Sequence, residues 1–284
     1  MEQAKKNYKY LLKGVIDTHI HTAPDNRPRK FNDIELAREA ASVSAKAIVI
    51  KSHVLPTMDR AYIAEQIVPG IKIFGGVTLN NAVGGLNIHA VDNAISMGAK
   101  IIWLPTIDAS YECKLFKKNR HGIDCVKNNR VVPELIEILK IIASSNTILA
   151  TGHISPDESL VVVDKAKELG VNKIIVNHPE ITRLSMTIEQ QKKFLPYGVY
   201  FERCYAKNMM PIRQGYGSSY KDILKNIKAL GYESTIIATD LGQKVNPNWS
   251  DALSDLIHFL LESGITKKQI DTMTKTNASK LLDI

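Results

Sequence analysis

Val15-Ile16-Asp17-Thr18-His19-Ile20-His21 is an apolar run that ends in two imidazoles one residue apart. Side chains on a strand alternate between faces, so His19 and His21 point the same way and can grip one ion. A chain with eight histidines yields such a pair by chance often enough that its surroundings must decide its meaning. Apolar runs rich in Ile and Val recur along the chain, and eight of them read as strands: 14–21, 46–52, 71–78, 100–105, 147–152, 173–177, 199–203 and 235–239. Segments with helical periodicity lie between them, at about 32–43, 57–68, 87–98, 132–144, 157–169, 187–195, 219–230 and 250–263. Asn32, Asp157, Ser219 and Ser250 are cap-type residues at several helix starts. Continuous apolar strands suit a parallel sheet buried on both faces. Eight strand-helix repeats in 284 residues fit a closed (β/α)8 TIM barrel in the α/β class better than an open doubly wound sheet. A final helix, about 267–282, trails the barrel.

The composition agrees with one domain spanning 1–284, because 44% of the residues are hydrophobic and no linker or low-complexity tract interrupts the pattern. The first residues, Met1-Glu2-Gln3-Ala4-Lys5-Lys6, lack an export-signal pattern, and no apolar run approaches the roughly 18 residues of a membrane span. A cytoplasmic location is the expectation. Cys113, Cys125 and Cys204 are too few and too scattered for a disulfide framework, which suits a reducing compartment.

Barrel chemistry sits at the C-terminal ends of strands and in the loops that follow. His19 and His21 close the first strand, His53 follows the second, His153 the fifth and His178 the sixth. Strand ends make up roughly a tenth of the chain, so random placement would put about one histidine there instead of these five. Asp240, after Ile236-Ile237-Ala238-Thr239, closes the eighth strand, beside the first in a cyclic barrel. Any one of these histidines alone reads more readily as a hydrogen-bonded structural residue; together they point to a metal site.

This set resembles the amidohydrolase superfamily over nearly the whole chain, including the closing Asn277-Ala278-Ser279-Lys280-Leu281-Leu282. The resemblance implies a metal-dependent hydrolase in which His19, His21, His153 and Asp240 are metal ligands. Asp240 also handles protons, and His178 is a catalytic acid or base or a ligand of a second ion. Binuclear members of the superfamily place a lysine carbamate or glutamate at the end of strand four, where this chain has Ile101-Ile102-Trp103-Leu104-Pro105-Thr106. The departure points to the mononuclear branch, one ion per chain, which includes zinc-dependent decarboxylases. Lys51, Glu202 and Glu112 are substitutes for the bridge, and Lys51, His53, His178 and Glu202 are candidates for a second metal or for substrate. Barrels of the polymerase and histidinol-phosphatase type share the His-x-His start but need a late Asp-x-His, where this chain reads Asp240-Leu241-Gly242.

Zinc is the first choice for imidazole-rich ligation, with Mn2+, Fe2+ or Ni2+ as substitutes. Such an ion lowers the pKa of its water from about 15.7 toward 7. In a hydrolytic reading Asp240 takes that proton and His178 assists at the carbonyl or the leaving group of an amide, lactone or ester. In a decarboxylase reading the same residues protonate carbon as carbon dioxide leaves. His89 and His258 read as structural helix residues, and Cys113, His121 and Cys125 match no zinc-knuckle spacing.

Thirty-seven basic residues against 29 acidic give a net charge of +8, and their distribution favours a small anionic substrate over nucleic acid or a membrane. Arg27, Arg29 and Lys30 follow strand one, Lys114, Lys117, Lys118 and Arg120 follow strand four, and Lys207 and Arg213 follow strand seven. Arg27 and Arg213 are candidate substrate-anion contacts, as is Lys51 if it points inward. Gly215-Tyr216-Gly217-Ser218-Ser219 could offer backbone N–H groups to the same anion, or be a plain turn and cap. A barrel that binds nucleic acid or a partner without chemistry is a distant third reading, carried by net charge alone, and a homo-oligomer is left open.

Overall fold

A computed structural model describes residues 8–205 and 219–284. Among the described residues, eight parallel strands alternate with helices: β1 (Ile16–His21), β2 (Ala47–Lys51), β3 in two halves (Lys72–Phe74 and Gly76–Thr78), β4 (Ile101–Trp103), β5 (Ile148–Ala150), β6 (Ile174–Asn177), β7 (Tyr200–Cys204) and β8 (Thr235–Ala238). The helices are α1 (Asp33–Ser42), α2 (Met58–Ile67), α3 (Ile88–Ser96), α4 (Pro133–Ser145), α5 (Pro156–Glu168), α6 (Ile188–Lys192), α7 (Tyr220–Leu230) and α8 (Trp249–Glu262), followed by α9 (Lys267–Asp271) and α10 (Asn277–Leu282). Every predicted strand and helix has a counterpart. Among the described residues, no helix is long and apolar enough to cross a membrane.

Parallel pairing runs from β1 through β2 to the first half of β3, and from its second half through β4, β5, β6 and β7 to β8. The interruption falls at Gly75. A Cβ there would lie 2.5 Å from the Thr57 carbonyl, and one on Gly76 would lie 2.1 Å from Ile101 O, so both positions need glycine for the backbones to approach. The ring is completed where Asp240 N donates to His19 O (2.8 Å) and His21 N donates to Leu241 O (2.7 Å). The architecture is the TIM barrel expected from the strand count.

Two layers of core follow from the strand pattern. Inside the barrel, Ile16, Val49, Ile101, Trp103, Ile148, Ile175 and Ile236 pack together, and Ala278, Leu281 and Leu282 of α10 close the lower end. Outside it, the alternate strand residues pack under the helices. Fully burying each Ile or Leu contributes about 1.5–3 kcal/mol, which is why these positions fix the architecture while the strand ends remain available for chemistry.

Local details correct several sequence expectations. Asn32 and Ser219 cap α1 and α7 as predicted. The cap of α5 is Ser155, because Pro156 takes the first helical position and moves Asp157 into the first turn. Asn248 precedes α8, leaving Ser250 inside it. The trailing helix is interrupted by a π-helical turn, Thr272–Thr276. Just past that turn, Asn277 Nδ2 donates to Tyr232 O (3.0 Å) and Thr235 O (2.7 Å), tying the chain to the start of β8. The loop after β4 carries a short helix, Ser110–Leu115, and a small hairpin, Val126–Lys127 with Arg130–Val131.

Candidate metal centre

The upper end of the barrel holds five imidazoles in a closed circuit. Ring centroids are 5.3 Å apart for His19 and His21, 4.7 Å for His21 and His53, 5.9 Å for His53 and His153, 5.0 Å for His153 and His178, and 5.8 Å for His178 and His19. The pairing register of β1 shifts between Asp17 and Ile20. That bulge lets the successive residues Thr18 and His19 reach the same interior carboxylate, which regular alternation would forbid.

That carboxylate is Glu202. It accepts from Thr18 Oγ1 (2.6 Å), His19 Nδ1 (2.8 Å) and Asn177 Nδ2 (2.7 Å), all buried. Fixing the Nδ1 proton this way directs His19 Nε2 toward Asp240 Oδ1, 3.1 Å away, and His21 Nε2 lies 3.2 Å from the same oxygen. The donor atoms of His19, His21 and Asp240 all fall within 4.8 Å of one another. Ligands of a tetrahedral ion stand about 3.4 Å apart, so this trio fits a divalent cation. His19 also lies within the same reach of Glu202 and Cys204, although its Nδ1 is already engaged by that glutamate.

His153 repeats the arrangement on the other side of the circuit. Its Nδ1 donates to Glu112 Oε2 (2.6 Å), and Arg183 donates to that same oxygen at 2.6 Å. Lys118 donates to the other oxygen at 3.1 Å. A carboxylate behind an imidazole sets its tautomer and orientation, as around many metal-ligating histidines. His53 Nδ1 meets Thr106 Oγ1 at 2.8 Å, and Asn80 anchors that threonine. Among the described residues, both ring nitrogens of His178 and Nδ1 of His21 are buried with no hydrogen-bond partner. Unmatched buried nitrogens cost free energy and mark a place where a ligand belongs.

Lys51 is fully buried, with Nζ 3.1 Å from His19 Nε2 and 5.2 Å from the centre of the Trp103 ring. Burial brings its pKa down to about 8. Burial likewise pushes His21, His53 and His153 well below the ordinary imidazole value and His178 to about 3, helped by neighbouring cations such as Arg29 near His21 and Arg183 near His153. For His19 burial acts downward too, yet Asp240 and Glu202 outweigh it and the net direction is upward. Burial opposes ionisation of Asp240 and Glu202, but the facing imidazoles prevail, leaving Asp240 far below its usual range and Glu202 at about 2.

Backbone conformation is unusual at two of these residues: His178 has φ of 26° and Asp240 of 52°. Gly242 has φ of 136°, and a Cβ there would lie 2.0 Å from His21 O. The turn after β8 can therefore press against the end of β1 only with glycine at this position.

Placement of the sequence candidates is uneven. His19, His21, His53, His153, His178, Lys51, Glu202 and Asp240 converge. Glu202 and Glu112 stand behind imidazoles, and Arg203 pairs with Glu180, not with its neighbour Glu202. Arg27 is exposed on the loop after β1, whereas Arg29 is buried against Asp25. Arg213, Lys207 and the 215–218 segment lie outside the described residues. His258 stacks on Tyr8 with centroids 3.7 Å apart, while His89 is exposed and Asn87 makes the cap expected near it. Sequence reasoning missed Asn177, Arg183 and Thr18. Asn177 directly precedes His178 at a strand end, the one local signal available for it.

The sequence profile of a family of unknown function, DUF6282, matches residues 14–202. No curated protein matches the chain. Solved structures share its fold. An amidohydrolase from Pseudomonas aeruginosa superposes with a TM-score of 0.63 at 13% identity, covering 96% of this chain and 97% of that one. A probable 2-pyrone-4,6-dicarboxylic acid hydrolase from Acinetobacter baumannii gives 0.61 at 12% identity, covering 96% and 100%. A 2,6-dihydroxybenzoate decarboxylase from Rhizobium gives 0.56 at 10% identity, covering 95% and 99%.

Proposed function

The chain belongs to the DUF6282 family, and from that premise we propose that it is a metal-dependent hydrolase of the amidohydrolase type, acting on a small anionic amide, lactone or ester. The observation that carries this reading is the convergence of His19 Nε2, His21 Nε2 and Asp240 Oδ1 inside a buried circuit of imidazoles. These three residues would hold the ion, with His153 as the further ligand from the opposite side. Zinc suits the donor set best, and Mn2+, Fe2+ or Ni2+ are substitutes. A divalent ion held there supplies an acidified water and a positive charge beside a carbonyl oxygen.

The protein's own groups do the rest. Asp240, held anionic by His19 and His21, accepts the proton released at the nucleophile. His178, neutral and without a partner on either nitrogen among the described residues, is available to hold a proton at the leaving group or to polarise the carbonyl. Glu202 and Glu112 fix the two imidazoles they touch. Arg29 and Arg183 are paired with Asp25 and Glu112, so the buried Lys51 ammonium beside His19 is the group that supports an anionic substrate.

Metal content per purified chain tests the reading: about one equivalent is expected for the wild type and a loss in His19→Ala or His153→Ala, whereas a metal-free active wild type would refute it. Glu202→Gln and Glu112→Gln should each weaken metal affinity by about 10–100-fold, read by competition with a coloured chelator. Unchanged affinity in both would remove their orienting role.

A second reading, a mononuclear decarboxylase, draws support from β4, which ends in Trp103 where a bridging side chain would stand, and from the engagement of both glutamates behind imidazoles. Product analysis separates the two: carbon dioxide released from a candidate acid, or only the water adduct of a lactone or amide.

A further inference from the structure

Strand β1 gains one residue on β2, advancing from Asp17 to Ile20 while β2 advances from Ile48 to Ile50. An extra residue of this kind takes its own N–H out of the sheet ladder, and a buried N–H left without an acceptor is costly. Here the acceptor is a side chain two residues back. Asp17 Oδ1 accepts from His19 N at 3.0 Å, so this carboxylate satisfies the backbone of the bulge that turns both Thr18 and His19 toward Glu202.

The same carboxylate reaches across the seam where β1 meets β8. Oδ1 also accepts from Thr239 N (3.2 Å), and Oδ2 accepts from Thr239 Oγ1 (2.6 Å) and from Trp249 Nε1 (2.8 Å) at the start of α8. Asp17, Thr239 and Trp249 are all fully buried. Four donors therefore converge on one side chain, and two of them belong to the residue directly before Asp240. Backbone contact at this seam is sparse. Ile20 and Leu241 form an isolated bridge, with Asp240 N on His19 O and His21 N on Leu241 O, whereas β7 and β8 pair continuously from Phe201 with Thr235 to Cys204 with Ala238. Glu202 orients the ring of His19; Asp17 fixes the main chain from which that ring and Asp240 both extend.

We propose that Asp17 is a positioning residue of the metal centre, setting the spacing across the seam of β1 and β8 at which His19 and Asp240 face the same ion. The proposal rests on the metal-binding reading given above and adds to it a side chain that acts on the backbone of one ligand and on the residue before another. Binding constellations must be held to within about 0.5 Å, so small changes at this seam reach the site.

Zinc affinity of the full chain, read by chelator competition, tests the role, with Asn277→Ala as the comparison because it removes a buried anchor at the opposite end of β8. Asp17→Ala is expected to bind zinc at least about tenfold more weakly. Asn277→Ala should stay within about twofold of the wild type, although both variants lower the thermal midpoint. A second readout needs no metal. The His19 Nδ1 proton held by Glu202 should give a downfield resonance in chelator-treated protein carrying isotopically labelled histidine, retained in Asn277→Ala and shifted or broadened in Asp17→Ala. An unmoved resonance in Asp17→Ala, or equal weakening of zinc binding in both variants, would overturn the proposal. A wild type that takes up no zinc defeats the metal-binding reading and this role together, whereas a zinc-binding wild type matched in affinity by Asp17→Ala defeats the role alone. Should Asp17→Ala fail to fold, Thr239→Val, which keeps three of the four donors, takes its place: about threefold weaker zinc binding is expected, and wild-type affinity there refutes the assignment.

Discussion

Asp240→Asn is expected to lower turnover by about 10²–10⁴-fold, the range associated with loss of a positioned proton acceptor, and to weaken metal retention at the same time. The carboxylate is the shared partner of His19 and His21, at 3.1 and 3.2 Å, and those two imidazoles hold it ionised despite burial. An amide keeps the shape and removes both the charge and the basicity. Turnover, metal content and thermal midpoint should be measured on one preparation. A folded variant with full metal content and wild-type turnover would show that Asp240 neither accepts the proton nor binds the ion.

The metal-free protein should lose stability steeply as pH falls below about 6.5, the ordinary imidazole value. His21, His53, His153 and His178 are neutral when folded, with pKa values depressed mainly by burial. A group depressed in the folded state binds more protons when unfolded, so its contribution is present above the unfolded value and disappears as pH drops. Asp17 runs the other way. Burial raises it to about 6, so its contribution grows as pH falls from there toward 3.8. His19, raised in the folded state, gives a contribution already complete below 6.5 and adds no slope in this window. Three groups' worth of net loss amounts to at most about 4 kcal/mol per pH unit, set against a total stability of roughly 5–15 kcal/mol. Urea midpoints with a chelator present should collapse before pH 5 and recover when metal is restored. A flat profile between pH 7 and 5 would mean that these imidazoles are not held neutral.

Much of this was readable from the chain because the deciding signals are local. Apolar runs such as Ala47–Lys51 and Ile174–Asn177 are strands by composition and length, and a barrel assigns its strand ends to one face. That geometry is enough to bring His19, His53, His153 and Asp240 together from distant stretches. What stood behind each imidazole was not legible, because Glu112 reaches His153 from the 29-residue connection 104–132, whose course depends on a short helix and a hairpin. Arg183 enters from a loop for the same reason. The interior placement of Thr18 depends on a bulge, a departure of register that alternation alone does not foresee. Cap positions shifted where a proline claimed the first helical turn, as at Pro156.

The left-handed turn at Asp240 narrows what this position can be. Glycine, asparagine and aspartate are the side chains that tolerate such a backbone most readily, and of the three only aspartate offers an anionic oxygen. If Asp240 holds the ion as proposed, loop geometry and ligand chemistry select the same residue independently, so a search for altered metal preference or new activity has little room here. Such variation has to come from residues farther along the connecting loops, where the chain's course and its chemistry can change separately.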